Sequence, residues 1–116
     1  MENHGGKLIC GGTGNVETCH VEPTIVLNPA PDSVLAQEEV FGPIMTVTTF
    51  KNIDDVISDL HDRPKALTLY YFGSVRNNPN KDKVEKYTSS GMFVVNGVTD
   101  QAGNHVLPFG GVGYSG

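Results

Sequence analysis

Between Ile44 and Asn96 the chain alternates two periodicities, and that alternation narrows the available folds more than any other feature. Ile44-Met45-Thr46-Val47-Thr48-Thr49-Phe50 is rich in β-branched residues, which suit a pleated surface and predict a strand. Ile53, Val56, Ile57 and Leu60 then recur at helical spacing, with Asn52 as cap, Asp54 and Asp55 at the positive N-terminal end, and Arg63-Pro64 as the stop. Leu67-Thr68-Leu69-Tyr70-Tyr71-Phe72 reads as the next strand. Asn78-Pro79 opens a second helix with proline at its first position, carrying Lys81 with Glu85 and Asp82 with Lys86 four apart on its exposed face. Gly91 ends that helix, and Met92-Phe93-Val94-Val95-Asn96 is a continuous apolar strand of the buried kind. The order β-α-β-α-β predicts an α/β fold, with parallel strands joined by right-handed crossovers and helices covering the sheet.

Composition bounds the chain at one domain or less: 116 residues, 38% hydrophobic and 18% charged. With 8 basic against 13 acidic residues and no basic stripe, neither nucleic acid nor an anionic membrane is an expected partner. No apolar run reaches membrane-spanning length. The polar start, Met1-Glu2-Asn3-His4-Gly5-Gly6, lacks a signal segment, and no Asn-x-Ser/Thr acceptor occurs, so the expected location is cytoplasmic.

Gln37-Glu38-Glu39-Val40-Phe41-Gly42-Pro43-Ile44 sets an acidic pair and an aromatic ring beside the first predicted strand. In extended backbone Glu39 and Phe41 project from one face. A carboxylate accepts two hydroxyls at once, as a ribose diol offers, and a ring gives a flat apolar surface to a heterocycle. Gly42 permits close backbone approach and Pro43 fixes the turn. The alternative is a polar turn with one half-buried aromatic. Pro108-Phe109-Gly110-Gly111-Val112-Gly113-Tyr114-Ser115-Gly116 closes the chain.

Glu22-Pro23-Thr24, the Glu-Glu-x-Phe-Gly-Pro segment, Ser90-Gly91-Met92-Phe93-Val94-Val95-Asn96 and the Pro-Phe-Gly-Gly segment together, in this order and spacing, resemble the NAD(P)-dependent aldehyde dehydrogenase superfamily over nearly the whole chain. The resemblance implies that residues 1–116 are a late part of that family's catalytic domain, a β-α-β-α-β parallel-sheet fragment without the cofactor-binding domain. It implies that Glu39 holds the nicotinamide-ribose hydroxyls of NAD or NADP, that Phe41 lies beside the nicotinamide, and that Phe109 lines the aldehyde channel. The family's nucleophilic cysteine, general-base glutamate and oxyanion amide lie upstream of the matched region, so no catalytic residue is assigned here. The implied activity of a complete enzyme is oxidation of an aldehyde to a carboxylic acid or thioester, with homo-oligomerisation as an accompanying expectation. The chain by itself is expected to be inactive. A non-catalytic short protein that binds an intact relative through open sheet edges, and an inert remnant, are the other possibilities. Gly113 stands where many members carry lysine, a difference shared by the branch acting on fatty and aromatic aldehydes. Polar residues in the loop from Gly97 to Leu107 count against a long-chain substrate.

Cys10 and Cys19 lie outside any segment resembling the nucleophile motif and are expected to be two unpaired small side chains, with a disulfide open only in an oxidising compartment. Cys19 and His20 are adjacent, which in a strand directs them to opposite faces. The cysteines and His4, His20, His61 and His105 show no paired metal-ligand spacing. Gly111-Val112-Gly113-Tyr114-Ser115-Gly116 matches a dinucleotide pattern in letters alone, lacking the helix that must follow. Gly11-Gly12-Thr13-Gly14-Asn15 reads as a hairpin turn rather than a phosphate loop.

Overall fold

The computed structural model describes residues 5–116 and divides the chain into two compact units, one ending at Thr49 and one running from Phe50 to Gly116. The first unit contains β1 (Lys7–Cys10), β2 (Gly14–Asn15), β3 (His20–Val21), β4 (Thr24–Leu27), the short helix α1 (Val34–Gln37) and β5 (Ile44–Val47). The second contains α2 (Ile53–His61), β6 (Thr68–Tyr71), α3 (Pro79–Tyr87), β7 (Met92–Val95) and two 3-10 turns, Asp100–Gly103 and Gly113–Ser115.

The α/β class holds, and α2 and α3 begin where capping chemistry places them. Asn52 accepts a bond from the Asp54 amide, and Asn78 accepts from the amides of Asn80 and Lys81 with Pro79 next in line. α3 stops earlier than Gly91 would set it, at Tyr87, where Thr88 closes the last turn through its backbone and its hydroxyl, both onto the Val84 carbonyl. Lys81 reaches Glu85 as expected and also Asp82, whereas Lys86 lies over the Tyr87 ring instead of pairing with Asp82.

Strand partnership differs from one three-stranded parallel ladder. β5 pairs in parallel with β4, Thr24 opposite Ile44 through Leu27 opposite Val47, while β6 pairs in parallel with β7 in a separate sheet. The physical reason lies in Thr24-Ile25-Val26-Leu27, a β-branched run whose first amide bonds the Pro43 carbonyl at 2.8 Å and so captures β5 at its entry. β1 completes that sheet antiparallel to β4, with a bulge between Leu8 and Cys10. β7 is half-buried along its length rather than fully buried, since among the described residues β6 is its only ladder partner.

Buried apolar side chains among the described residues are few: Val26 in the first unit, and Ile57 and Val84 in the second. The last two lie on α2 and α3, which are further tied by an ion pair from Lys83 to Asp54 at 2.7 Å. The Tyr71 and Phe93 rings meet diagonally across β6 and β7, tilted by 40° at 6.5 Å between centroids, and Asn78 donates to the Tyr71 hydroxyl at 2.9 Å.

Candidate functional site

In the first unit the Glu39–Phe41 segment is a turn held at both ends. On its N-terminal side, the Glu38 amide closes α1 onto the Val34 carbonyl and the Gln37 side chain donates to the Pro31 carbonyl at 2.6 Å. On its C-terminal side, the Gly42 amide bonds the Val40 carbonyl at 3.0 Å and the Ile44 amide bonds the Gly42 carbonyl at 2.8 Å. These are consecutive three-residue turns centred on Phe41 and Pro43. The backbone therefore bends at Phe41 instead of running extended through it.

Thr24 anchors this turn from below. It is 8% exposed; its hydroxyl donates to the Glu22 carbonyl at 2.8 Å and accepts from the Gly12 amide at 2.9 Å, while its own amide reaches Pro43. Gly11 crosses the same point with φ +70°, where a Cβ would come within 2.3 Å of the Pro23 carbonyl. Above that anchor the functional candidates stand free: Phe41 is 93% exposed, and the exposed Glu39 carboxylate has no hydrogen-bond or ion-pair partner among the described residues. Around Gly42, an added Cβ would meet only Val40, at 3.9 Å.

Phe109 belongs to the second unit, so it is not part of the turn that carries Glu39 and Phe41. The Pro-Phe-Gly-Gly segment docks on the start of β7. A Cβ on Gly91 would lie 2.6 Å from the Leu67 carbonyl oxygen, 2.7 Å from Gly111 Cα and 2.8 Å from the Gly110 carbonyl oxygen, so only glycine fits there. Beyond Gly111, the chain closes on itself: the Val112 amide reaches Ser115 Oγ at 3.2 Å, and Gly113 takes φ +61°. The loop is braced on itself and no strand leads into it among the described residues, whereas a dinucleotide pattern works on a strand that enters its glycine turn. Phe109 stands outside it, 83% exposed.

Several sequence expectations change here. Hairpin β2–β3 turns through Val16 to Cys19, with Asn15 Oδ1 accepting from the Thr18 amide and Cys19 at φ 51°, so the preceding glycines lead into the hairpin rather than forming its turn. Cys10 and Cys19 are unpaired as expected but exposed, and their thiols point to the carbonyls of Pro23 and Val16. In the loop after β7, Gln101 is half-buried and donates to the Tyr70 hydroxyl at 2.8 Å, unlike its exposed neighbours Thr99, Asp100, Asn104 and His105. No cluster of three or more metal-ligating side chains occurs among the described residues. No helix among them is long and apolar enough to cross a membrane. A groove of about 450 Å³ opens between the C-terminal ends of α2 and α3; it is basic, through Arg63, Lys65 and Lys86, and contains none of the candidate residues. Cations there complement the negative ends of two helices.

The aldehyde dehydrogenase family model matches residues 1–116, the whole sequence. The chain belongs to the aldehyde dehydrogenase family. It is 40% identical over 111 residues to aldehyde dehydrogenase family 3 comG of Dictyostelium discoideum, covering 96% of this chain and 23% of that protein. To a bovine dimeric NADP-preferring aldehyde dehydrogenase it is 38% identical over 115 residues, covering 97% of this chain and 46% of the relative. Its fold superimposes on substrate-bound Staphylococcus aureus AldH with a TM-score of 0.82 at 35% identity, covering 93% of this chain and 23% of that one. The Dictyostelium relative carries the family 3 name, as do similar proteins of Mus musculus and Arabidopsis thaliana. The chain thus spans between about a quarter and a half of the length of these relatives.

Sequence reasoning missed the buried anchor at Thr24, the docking of the Pro-Phe-Gly-Gly loop at Gly91, and the strand-end bonds of Asn28 and Asn96. For the two asparagines the available signal was an asparagine at the end of a β-branched run, because asparagine tolerates the left-handed backbone that ends a strand.

Proposed function

We propose that residues 1–116 form the nicotinamide-facing part of the catalytic domain of an NAD(P)-dependent aldehyde dehydrogenase, and that the segment does not turn over alone. The observation that carries this is the Glu39–Phe41 turn: a rigid base pinned by Thr24 and Pro43 presents an unpartnered carboxylate and a 93% exposed ring in a chain whose family membership is established.

Glu39 would hold the two hydroxyls of the nicotinamide ribose, since an ionised carboxylate is acceptor-only and suits a diol. Phe41 would cover one face of the nicotinamide, and the open space at Gly42 leaves room for a ring to approach. Bound NAD or NADP supplies the hydride acceptor; this chain's residues orient it. Phe109 would shape the aldehyde passage. The attacking thiolate and the general base belong to family segments that precede this region, and assembly into an oligomer is proposed only for a complete enzyme.

In a full-length enzyme carrying this region, Glu39→Gln should slow hydride transfer at least about tenfold, because a charged hydrogen bond contributes about 1.5–3 kcal/mol. Unchanged turnover with unchanged cofactor affinity would remove Glu39 from that role. The intact mass of the endogenous protein, identified through peptides from Gln37 to Phe50, decides which form exists. A species several-fold heavier than 12.4 kDa supports the enzyme, and one at 12.4 kDa does not. In the latter case the second proposal applies, a short protein that docks on an intact relative. It is favoured by the outer edge of β5, which among the described residues has no ladder partner besides β4 and leaves Met45 and Val47 exposed.

A further inference from the structure

Both parallel strand pairs end on the same device. Asn28 follows β4 in left-handed backbone, φ 49°; its amide bonds the Val47 carbonyl at 2.7 Å, and its Oδ1 accepts from the Thr49 amide at 2.8 Å. Asn96 follows β7 with φ 54°; its amide bonds the Tyr71 carbonyl at 2.8 Å, and its Oδ1 accepts from the Gly73 amide at 2.9 Å. Asn96 Nδ2 also donates to the Gly73 carbonyl at 2.9 Å. A side-chain amide offers the same donor and acceptor as a peptide, so each asparagine adds one more rung to its ladder.

The two clamps differ in the next residue. Asn28 precedes Pro29, whose nitrogen carries no hydrogen and cannot close a ring on the side chain. Asn96 precedes Gly97, which has no side chain of its own to crowd the attacking amide, and Asn96-Gly97 is the one Asn-Gly step in the sequence. Asn96 is also exposed, so water reaches it.

We propose that Asn96 is a site of spontaneous deamidation, and that its conversion unlocks the β6–β7 end. The Gly97 nitrogen bonds to Asn96 Cγ and the Cγ–Nδ2 bond breaks. Nδ2 leaves as ammonia with the proton from Gly97. Water then opens the five-membered imide to aspartate or isoaspartate, with no electron transferred. Both products lose the Nδ2 donor, and aspartate puts an acceptor in its place facing the Gly73 carbonyl oxygen. Isoaspartate also lengthens the main chain by one methylene beside the Asn96–Tyr71 bond. The loop released by that change is the one that leads to Phe109.

The test is to incubate the 116-residue chain at neutral pH and map it by tryptic mass spectrometry; Asn96 and Asn104 share one peptide, because no lysine or arginine follows Lys86. Asn96 should convert before Asn104, Asn28 should stay intact, and Gly97→Ala should convert Asn96 several-fold more slowly. That methyl is tolerable because its closest neighbour is the movable Asp100 carboxylate, Oδ2 at 2.7 Å. Conversion of Asn104 first, or wild-type speed in Gly97→Ala, overturns the site. The deamidated chain, separated by ion exchange, should exchange its amide hydrogens faster at Gly73 and over residues 97–103 than the unmodified chain. Equal exchange overturns the unlocking.

Discussion

Thr24 and Phe41 mark the two kinds of residue this chain contains, those that hold a turn and those that the turn displays. Thr24 is buried with donor and acceptor both used, so Thr24→Val should cost about 1–3 kcal/mol by leaving the Gly12 amide and the Glu22 carbonyl unpaired, read as a shift in urea midpoint. Phe41→Ala, at a fully solvated ring, should change stability by less than about 0.5 kcal/mol. Equal losses for the two would mean that Phe41 belongs to the core and not to a ligand surface. Gly91→Ala should cost about 1–3 kcal/mol through overpacking, because the new methyl meets backbone on both sides. Such residues are hard to find from sequence, since the atoms that crowd Gly91 come from Leu67, Gly110 and Gly111, in other parts of the chain.

At the scale of elements, capping and periodicity were legible because both are local. Asn52 and Asn78 each take up amides within three residues, so truncating either to alanine should cost about 1 kcal/mol, measurable by thermal melt. Lys81 is held above the ordinary lysine range, chiefly by its hydrogen bond to Glu85 and then by the charges of Glu85 and Asp82. Its folded pKa is raised, so the pair's contribution is complete below the unfolded lysine value of 10.5 and is lost as pH climbs through the higher folded value. An alkaline titration should therefore show a loss in α3 that Glu85→Gln reduces, with Asp82 retaining the remainder. Ladder partners were not legible in the same way. β5 and β6 are successive strands with a helix between them, yet β5 bonds to β4, and only the Thr24–Pro43 contact shows why.

For the whole molecule, the sparse core governs behaviour. Val26, Ile57 and Val84 are buried, whereas Leu8, Ile9, Met45, Phe50, Leu67 and Phe72 are exposed beyond what an isolated domain of this size ordinarily shows. The chain should bind a hydrophobic dye and associate at micromolar concentration; a dye-silent, monodisperse monomer would contradict this. Sequence by itself determined the family, the α/β class, the start of both long helices and the motif containing Glu39 and Phe41, because these rest on residue identity and on spacings within one turn or strand. Tertiary structure alone decided that the Glu39 motif is a pinned turn instead of an extended face, that β4 captures β5, that Gly91 receives the Pro-Phe-Gly-Gly loop, and that two asparagines close the parallel pairs. Each of those depends on contacts between distant segments, which local propensity does not encode.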